Sequence, residues 1–354
     1  MRFLPTKWKA YIRKLSKNYK VVQYDNTHGE NSIMYQKPLI SLIVTAYNRR
    51  EYIMEALKSI LNQTLENKLF EVIVIKNYAD FKIDKFIEEK GFKSMISEGI
   101  EGAFYHLAIE MASGDIITFL DDDDIMVENR LERVLTVFQD NNIGYYHNNF
   151  EAFRETEILK NRLIGSSKYT SFRIANKCIR YAFSLDRKQL YVNNSSISVR
   201  KEVLTPHLKA LREQEANIDR FIFTCALLSD FDLYFDDSML TFYRIHSNQT
   251  GSLLSDNFET LLNNKKTFIE KSINASMNIM NISRNTQFYP YAKTRLINLE
   301  LAYNFWSFGN KFKFKISDYL IYIKEKDYAD IPIVFIYKTP KVIRRALIKI
   351  IYGV

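Results

Sequence analysis

Between residues 38 and 75, short continuous apolar runs alternate with apolar residues at helical spacing. The run over 39–45 is rich in β-branched residues, which is typical of a parallel strand buried on both faces. Apolar residues then recur at helical spacing over 53–63, and a second apolar run follows at 71–75. This order predicts a strand, a helix and a parallel strand joined by a right-handed crossover.

The same alternation continues up to a run of four aspartates. We predict a helix over 103–111 and a third buried strand over 116–120, which leads directly into the aspartates at 121–124. These elements predict an α/β fold with a doubly wound, mostly parallel sheet flanked by helices. Ligands of such sheets bind beyond the carboxyl ends of the strands, where the polar loops 45–48, 76–77 and 121–124 all fall.

The second half of the chain holds further predicted elements. They are a helix over 130–140, strands over 144–150 and 193–199, and a helix over 219–228. The strand over 193–199 would bring Ser195 and Ser196 near the polar loops. After about Asp256 the sequence becomes Asn- and Lys-rich and helical, with few glycines. We therefore predict three parts: a basic N-terminal lead (1–37), the α/β domain (38–255) and a helical C-terminal region (256–354).

The net charge of +9 is concentrated at the two ends of the chain. Residues 1–20 carry seven Lys or Arg and residues 341–354 carry four, and neither segment has an acidic residue. Without these eleven, 39 basic residues face 41 acidic ones. A slightly negative body argues against nucleic acid as a partner, because nucleic-acid-binding proteins carry a basic face with stacking aromatics. The basic ends favour an anionic membrane surface instead.

The cysteine content and the apolar runs indicate the compartment. Cys178 and Cys225 are too few for a disulfide framework or a zinc cluster, so we expect a reducing compartment. No apolar run reaches the roughly 18 residues of a membrane-spanning helix, and the basic N-terminus lacks the apolar stretch of a secretory signal. We expect a cytoplasmic protein that can also sit peripherally on the inner face of the cell membrane.

The aspartate run allows two interpretations. Four adjacent carboxylates repel one another and lose solvation on burial, so a cation should compensate them. Mg²⁺ or Mn²⁺ would suit, because hard cations prefer carboxylate and phosphate oxygens, and Asp121 and Asp123 would point to the same side of an extended backbone. The alternative is a solvated acidic turn in which Asp124 caps the following helix.

Four ordered motifs resemble those of a known enzyme family. They are PLISLIVTAYN at 38–48, SILNQ at 59–63, EVIVI at 71–75 and ASGDIITFLDDDD at 112–124. Together they resemble the inverting family 2 glycosyltransferases with the GT-A fold, and the similarity covers roughly residues 38–250. It implies a GT-A-like sheet with a helical C-terminal extension, and an enzyme that transfers a sugar from a nucleotide-diphosphate sugar.

The resemblance implies that the loop after the first strand holds the nucleotide. Thr45, Ala46 and Tyr47 would surround the base and the ribose. The nucleotide diphosphate carries adjacent negative charges, and a metal held by carboxylates would neutralise them and stabilise the leaving diphosphate.

The aspartate run matches the DxD motif of the family, whose aspartates bind ribose and metal. The motif maps best onto Asp121 and Asp123, and a one-residue slip to Asp122 or Asp124 stays open. We assign Asp121 and Asp122 to the nucleotide sugar and Asp123 to the metal, Mg²⁺ or Mn²⁺.

The loop after the second strand departs from the family. Relatives often carry Asp-Asp-Gly-Ser there, and an aspartate reads the uracil edge, whereas this chain has Lys-Asn-Tyr-Ala at 76–79. The amide of Asn77 can still pair with a pyrimidine. We expect Lys76 to be a surface cation. A UDP-sugar is the favoured donor, and a GDP-sugar stays open.

The resemblance also implies a general base, which in the family is an acidic residue of a Glu-Asp pair that opens a helix. Asp219 matches that position and would deprotonate the acceptor hydroxyl. Ile218 replaces the acidic partner, and Glu213 and Glu215 are nearby, so the assignment could shift. The other interpretation of Asp219 is a carboxylate that stabilises a helix N-terminus.

The segment Leu240–Asn248 is similar to the family's strand that ends in Tyr-Arg-x-His. The match implies that Arg244 contacts the diphosphate and that His246 completes the metal shell. A structural role is the alternative for His246. On the acceptor side, His147 and Asn148 are among the side chains able to hydrogen-bond a sugar.

The C-terminus predicts a basic amphipathic helix. Thr339 and Pro340 suit its N-cap and first position, and an apolar stripe follows over 342–351. Its basic residues lie on the other side: Lys341, Arg344, Arg345 and Lys349. Such a helix can lie in an anionic membrane surface, and docking on its own domain or a partner chain is the alternative. Membrane contact would suit a lipid-linked acceptor.

These observations lead to a metal-assisted, inverting glycosyltransferase of polysaccharide biosynthesis that acts on a glycan or a lipid-linked saccharide. A sugar-phosphate nucleotidyltransferase shares the fold type but needs a glycine-rich phosphate loop, and residues 41–50 contain no glycine. The alternative from another class is a catalytically silent binding or scaffold protein of the same fold at the membrane surface.

Overall fold

The computed structural model describes residues 38–154, 169–246, 257–309, 311–313 and 340–345. The predicted basic lead over 1–37 lies outside the described residues. So does the predicted amphipathic helix beyond residue 345.

The described residues form one nine-stranded sheet with helices around it. The strands are β1 (Ile40–Ala46), β2 (Phe70–Lys76), β3 (Lys93–Ile96), β4 (Ile116–Asp121), β5 (Ile125–Met126), β6 (Ile143–Arg154), β7 (Phe172–Ile174), β8 (Ile197–Arg200) and β9 (Asp232–Ile245). The helices are α1 (Ile53–Leu61), α2 (Phe81–Glu89), α3 (Glu101–Met111), α4 (Arg130–Val137), α5 (Ile179–Arg187), α6 (Lys201–Leu204), α7 (Leu208–Arg212), α8 (Ile218–Leu228), α9 (Phe258–Ile282) and α10 (Tyr289–Trp306). The strand order is β3-β2-β1-β4-β8-β6-β9-β5, and β7 pairs with β9.

The first half of the sheet has the predicted crossover arrangement. β1 pairs in parallel with β2 on one side and β4 on the other, and β3 extends the sheet in parallel beyond β2. The apolar residues of β1 are buried, as expected of a strand covered on both faces. Thr45 lies in register with Asp121, and Ala46 with Lys76. The three polar loops therefore leave the sheet at the same edge.

The second half of the sheet is mixed. β8 runs antiparallel to both β4 and β6, whereas β6 and β9 pair in parallel over most of their length. β5 and β7 run antiparallel to β9. Most of the described strands share one direction, so the prediction of an α/β fold with a mostly parallel sheet, flanking helices and a helical C-terminal region is confirmed.

Among the described elements that were not predicted from the sequence are α2 and β3. Asp80 begins α2, because its Oδ1 accepts hydrogen bonds from the N–H groups of Lys82 and Ile83, both at 3.1 Å. Every side chain of β3 is exposed, so no apolar run marks this edge strand.

The strand predicted over 193–199 is shorter than expected. Asn193 has a φ of 88°, and the next three residues form a 3₁₀ turn, Asn194–Ser196. Only Ile197–Arg200 pairs as β8. The prediction failed here because Asn193 and the polar residues after it leave the extended conformation before the apolar residues begin.

The C-terminal helices pack on the α/β domain. Phe183 of α5 meets Tyr291 of α10 edge to face, with 5.4 Å between the ring centroids. Phe288, Tyr291 and Ala292 are buried in the same core as residues of the sheet. α10 therefore shares the hydrophobic core of the α/β domain.

The short described part of the C-terminal tail is helical over 341–345. Arg344 is buried and donates from Nη1 to the carbonyl oxygen of Asn304, at 2.9 Å, near the end of α10. The amphipathic pattern placed Arg344 on an exposed basic face, whereas the structure buries its side chain against α10. Val342 is 80% exposed and Ile343 is also exposed. Within the part of the chain that the structure describes, no helix has the length and apolarity to span a bilayer.

Candidate active site

Residues 121–124, the aspartate loop, begin with the last residue of β4, near the middle of the sheet. Asp122, Asp123 and Asp124 are only 2%, 8% and 1% exposed. The next helix, α4, begins only at Arg130. The interpretation of a solvated turn in which Asp124 caps the following helix is therefore wrong.

Arg244 of β9 supports the inner side of the aspartate loop. Its backbone N–H donates to Asp124 Oδ1 at 2.9 Å, and its Nε donates to the carbonyl oxygen of Asp123 at 2.8 Å. Its Nη2 lies 2.7 Å from Glu55 Oε2, and its guanidinium lies 4.4 Å from the centre of the Tyr52 ring. With 4% exposure, the side chain supports the loop from inside the protein. Its contact with a diphosphate stays a prediction.

Arg49 and His246 meet on the outer side of the aspartate loop. Arg49 Nη2 contacts Asp122 Oδ1 and lies 2.8 Å from Asp123 Oδ2. His246 Nε2 lies 3.0 Å from the same Asp123 oxygen and 3.3 Å from Arg49 Nη1. Burial opposes the charge of Arg49, but the hydrogen bond and charge of Asp122, with the charge of Asp123, raise its pKa above the usual range. A guanidinium thus supplies positive charge at these carboxylates.

Asp121, Asp123 and Asp124 form a candidate metal-binding group. One carboxylate oxygen from each lies within 4.8 Å of the others. Asp124 Oδ2 is buried and has no hydrogen-bond partner among the described residues. Such an oxygen is costly to bury unless something binds it, and hard divalent cations prefer oxygen ligands. The donor set therefore fits a divalent metal, and the structure groups Asp124 with the predicted ligand Asp123.

Burial changes the acid–base properties of the aspartate loop. It raises the pKa of Asp121 to about 7, with a further contribution from the charges of Asp123 and Asp122. It also raises the pKa of Asp122 to about 7, against the hydrogen bond from Arg49, and raises that of Asp124 well above its usual range. Since crowded, buried carboxylates disfavour ionisation, a bound cation would stabilise their charged forms.

The loop after β1 places its three predicted nucleotide-binding residues in different environments. Thr45 Oγ1 donates to the hydroxyl of Tyr105 at 3.5 Å. The side chain of Ala46 is fully buried. Tyr47 is 56% exposed, and its ring centroid lies 5.9 Å from that of Phe104. Tyr47 can therefore offer a ring face to a ligand, whereas Ala46 can offer only its backbone.

Asn77 is tied to this loop through Asn48. The backbone N–H of Asn48 donates to Asn77 Oδ1, and Asn77 Nδ2 donates to Asn48 Oδ1, both at 2.8 Å. Asn48 has a φ of 56°, in the left-handed region that asparagine tolerates. The pair holds the loops after β1 and β2 together at the sheet edge.

Lys76 is buried, so the expectation of a surface cation was wrong. Its Nζ lies 2.6 Å from Asp84 Oδ1 and donates to the carbonyl oxygen of Tyr78. A buried ammonium needs such partners to offset its lost hydration. Lys76 therefore joins the end of β2 to α2.

Asp219, the predicted base, lies in the first turn of α8. Its Oδ1 accepts from the backbone N–H of Arg220 at 2.7 Å, and its Oδ2 accepts from that of Asn193 at 3.4 Å. Burial raises its pKa, and the charge of Arg220 lowers it in part. A raised pKa increases the basicity of a carboxylate, which favours proton abstraction near neutral pH. Of the two nearby alternatives, Glu213 is exposed and Glu215 accepts from Asn274 Nδ2.

Two residues of α3 that were not predicted as site residues lie between the aspartate loop and Asp219. The hydroxyl of Tyr105 donates to Asp121 Oδ1 at 3.1 Å. Glu101 is one helical turn earlier on the same face. Burial raises its pKa to about 8, and the charges of Asp121 and Asp219 contribute. Neither residue was predicted as part of the site, because Tyr105 lies within the predicted helix over 103–111 and Glu101 lies just before it.

Gly102 brings the start of α3 against the segment that precedes α8. Its N–H donates to the carbonyl oxygen of Gln214 at 2.9 Å. A Cβ at this position would lie 2.0 Å from the carbonyl oxygen of Leu211 and 2.6 Å from that of Gln214, so only glycine fits. This close approach fixes Glu101 relative to the segment that leads to Asp219.

Ser195 reaches the aspartate loop, because its Oγ accepts from the backbone N–H of Asp121 at 2.9 Å. The acceptor candidates His147 and Asn148 are instead buried in the protein. Burial lowers the pKa of His147 to about 4, and Asn148 Oδ1 accepts from Arg130 Nε at 3.0 Å. The structure therefore does not bring these two side chains to the surface of the site.

Comparison with known proteins agrees with this site. The family model described as Glycosyl transferase family 2 matches residues 41–204. The UDP-Glc:alpha-D-GlcNAc-diphosphoundecaprenol beta-1,3-glucosyltransferase WfgD of Escherichia coli is 30% identical over 146 residues, which are 40% of this chain and 56% of that protein. An uncharacterized glycosyltransferase of Haemophilus influenzae is 34% identical over 139 residues, which are 37% of this chain and 54% of that protein. The chain spans about half the length of these curated relatives.

A solved structure shows the same fold. The crystal structure of S. aureus TarS 1–349 in complex with UDP superimposes with a TM-score of 0.50 at 17% sequence identity, and the similarity covers 81% of this chain and 78% of that one. The matched segment 41–204 contains β1 to β4 and the aspartate loop. On this match and on the order of its motifs, residues 41–204 form a glycosyl transferase family 2 segment.

Proposed function

We propose that the chain transfers a sugar from a nucleotide-diphosphate sugar to an acceptor hydroxyl with inversion of configuration. The observation that carries the proposal is the group of Asp121, Asp123 and Asp124, the last two buried, at the carboxyl edge of β4 beside the loop after β1. The E. coli relative is named for UDP-Glc and the S. aureus structure contains UDP. Both names support a UDP-sugar as the donor.

The metal would be Mg²⁺ or Mn²⁺. Asp121, Asp123 and Asp124 would hold it, with His246 close to Asp123. A divalent cation there supplies positive charge that stabilises the leaving diphosphate.

The nucleotide would lie along the loop after β1. The exposed ring of Tyr47 would contact the base, Thr45 the ribose, and Asn77 the polar edge of the base. Arg244 would contribute by supporting the aspartate loop, since its guanidinium binds Asp123 and Glu55 inside the protein.

Asp219 would act as the general base. It would take the proton of the acceptor hydroxyl, whose oxygen forms a bond to the anomeric carbon as the bond to the diphosphate breaks. Attack from the face opposite the leaving group inverts the anomeric configuration. Glu101 would face the same space, since its charge interacts with both Asp121 and Asp219.

The acceptor would be a glycan or a lipid-linked saccharide. The name of the E. coli relative includes a diphosphoundecaprenol acceptor, which supports a lipid-linked one. We also propose that residues 38–255 form the catalytic domain, that residues 256–354 form an appended helical region, and that the tail contacts the inner face of the membrane. Exposed Val342 and Ile343 support the membrane contact.

The transfer is tested with purified protein, Mn²⁺ or Mg²⁺, and UDP-glucose, UDP-N-acetylglucosamine and GDP-mannose as probes. We expect a metal-dependent thermal shift with at least one of them and release of its nucleoside diphosphate. Binding without release, even with lipid-linked saccharide acceptors, would favour the silent scaffold. No binding of any probe would overturn the proposal.

The membrane contact is tested by flotation with phosphatidylglycerol vesicles. Changing Val342→Ser together with Ile343→Ser should lower the bound fraction several-fold, because less apolar surface enters the headgroup region. Met277→Ser, at another exposed apolar position on α9, is the matched control. Equal flotation of both variants and the unchanged protein would reject the role of the tail.

A further inference from the structure

We propose that Arg295 and Asp186 are positioning residues that act on Asp219 through Arg220. The inference rests on the proposed role of Asp219 as the base. It assigns part of the control of the reaction to α10, because Arg295 belongs to that helix.

Three charged side chains from three helices form a partly buried network. Asp186 of α5 is 5% exposed. Its Oδ2 lies 2.9 Å from Arg295 Nε, and its Oδ1 lies 3.5 Å from Arg220 Nη2. The hydroxyl of Tyr191 joins them, because it donates to Asp186 Oδ1 at 2.5 Å and accepts from Arg220 Nε at 2.9 Å. The guanidinium of Arg220 is thus held between Asp186 and Tyr191.

Arg220 connects this network to the base. Its backbone N–H donates to Asp219 Oδ1 at 2.7 Å. The charge of Arg220 lowers the pKa of Asp219, whereas the charge of Asp186 raises it. The pKa of Asp219 therefore depends on how far the negative charge of Asp186 is neutralised. Arg220 and Arg295 are the two cations next to Asp186.

Other titratable groups also face Asp219 from neighbouring elements. They are Glu101 of α3, Tyr145 of β6 and Tyr191, which precedes the 3₁₀ turn. Burial raises the pKa of each of the three, to about 8 for Glu101. Below that pH these groups are mostly neutral, so the charges near the base come chiefly from Arg220, Asp186 and Arg295.

The sign of each perturbation follows from charge. With Asp186 ionised, the three side chains carry one net positive charge, which favours ionised Asp219. Loss of the Arg295 charge leaves the network neutral, so the pKa of Asp219 should rise. Loss of the Asp186 charge leaves two positive charges, so it should fall. A purely structural network would lower activity in both variants without moving this pKa in opposite directions.

The test compares Arg295→Met and Asp186→Asn. The rate of nucleoside diphosphate release is measured against pH with whichever probe sugar nucleotide the unchanged protein turns over. We expect the acidic limb of the profile to move to higher pH in Arg295→Met and to lower pH in Asp186→Asn, by about half a unit or more in each case. Arg284→Met, at an exposed position before α10, is the control and should leave the limb in place.

Two further variants keep the test valid if Asp186→Asn does not fold. Arg295→Gln should shift the limb as Arg295→Met does, and Arg295→Lys should restore it, because lysine returns the charge. The inference would be overturned if the acidic limb moved in the same direction in Arg295→Met and Asp186→Asn. It would also be overturned if the limb lay at the same pH in Arg295→Gln and Arg295→Lys.

A second readout does not depend on activity. The carboxyl ¹³C resonance of Asp219, assigned with Asp219→Asn, is titrated in the unchanged protein and in the Arg295 variants. If no sugar nucleotide is turned over, the proposed function fails while this titration still tests the link to Arg295. If turnover occurs and the resonance titrates identically in Arg295→Met, only the inference fails.

Discussion

The aspartate loop has an arginine on each side, and the two differ in burial and in what they bind. On the inner side, Arg244 is buried and binds the backbone carbonyl of Asp123 and the carboxylate of Glu55. On the outer side, Arg49 is partly exposed and binds the carboxylates of Asp122 and Asp123 directly.

Because of this difference, one arginine controls the backbone conformation of the loop and the other controls the charge on its carboxylates. Arg244 fixes the backbone and leaves the carboxylate oxygens on the outer side available. Arg49 binds those oxygens themselves, and a metal ion at the loop would use Asp123 as well. Mutation of the two arginines should therefore have different effects. Loss of Arg244 should mainly lower stability, and loss of Arg49 should mainly change cation binding.

The largest effect on turnover should come from Asp123, which both arginines contact. Asp123→Ala removes the carboxylate that Arg49, His246 and the candidate metal have in common, so nucleoside diphosphate release should fall about a thousandfold or more. The variant should remain folded, because it removes one of several mutually repelling carboxylates. Turnover and the melting temperature are measured together. Turnover within tenfold of the unchanged protein would contradict the site, and Asp230→Asn, at an exposed position, is the control.

A smaller effect is expected on the inner side. Arg244→Met leaves the buried Asp123 carbonyl oxygen without its guanidinium partner and removes the ion pair with Glu55, which should lower the free energy of unfolding by about 1–3 kcal/mol. Urea unfolding measures the change. Arg49→Met is the comparison and should lose less, because Asp122 can take up a proton once the guanidinium is removed. Equal losses in the two variants would show that the inner and outer sides do not differ in this way.

The smallest effect is expected on the outer side. Arg49→Met removes a positive charge that competes with a metal for Asp122 and Asp123, so the affinity for Mn²⁺ should rise about tenfold. Isothermal titration calorimetry in metal-free buffer measures it. Arg50→Met changes the exposed neighbouring arginine and should leave the affinity unchanged. A weaker affinity in Arg49→Met would contradict this competition and would mean that the guanidinium orients the carboxylates that bind the ion.

The parallel half of the sheet was predictable because its strands are buried on both faces. Continuous apolar runs mark β1, β2 and β4, and the polar residues that end them fall at one edge by the geometry of parallel pairing. The edge strand β3 carries no such run, because all its side chains are exposed. Strands were therefore predicted correctly where their side chains are buried. The exposed strand β3 was missed because only backbone hydrogen bonds mark it.

The site was predictable only where its residues adjoin those strands. The aspartate loop continues β4, so its position followed from the strand. Glu101, Tyr105 and Arg49 become neighbours of the aspartates only through tertiary packing. Lys76 was expected at the surface because its partner Asp84 lies in α2, a helix that was not predicted.

The close approach at Gly102 has a consequence for enzyme engineering. Acceptor preference in such folds is a natural target for exchange of the segment after α6 with that of another glycosyltransferase. In this chain the carbonyl oxygens of Leu211 and Gln214 pack where the first side-chain carbon of residue 102 would lie. A segment from another protein would have to place its backbone equally close to Gly102. An exchange that begins after Gln214 keeps the native backbone at this contact.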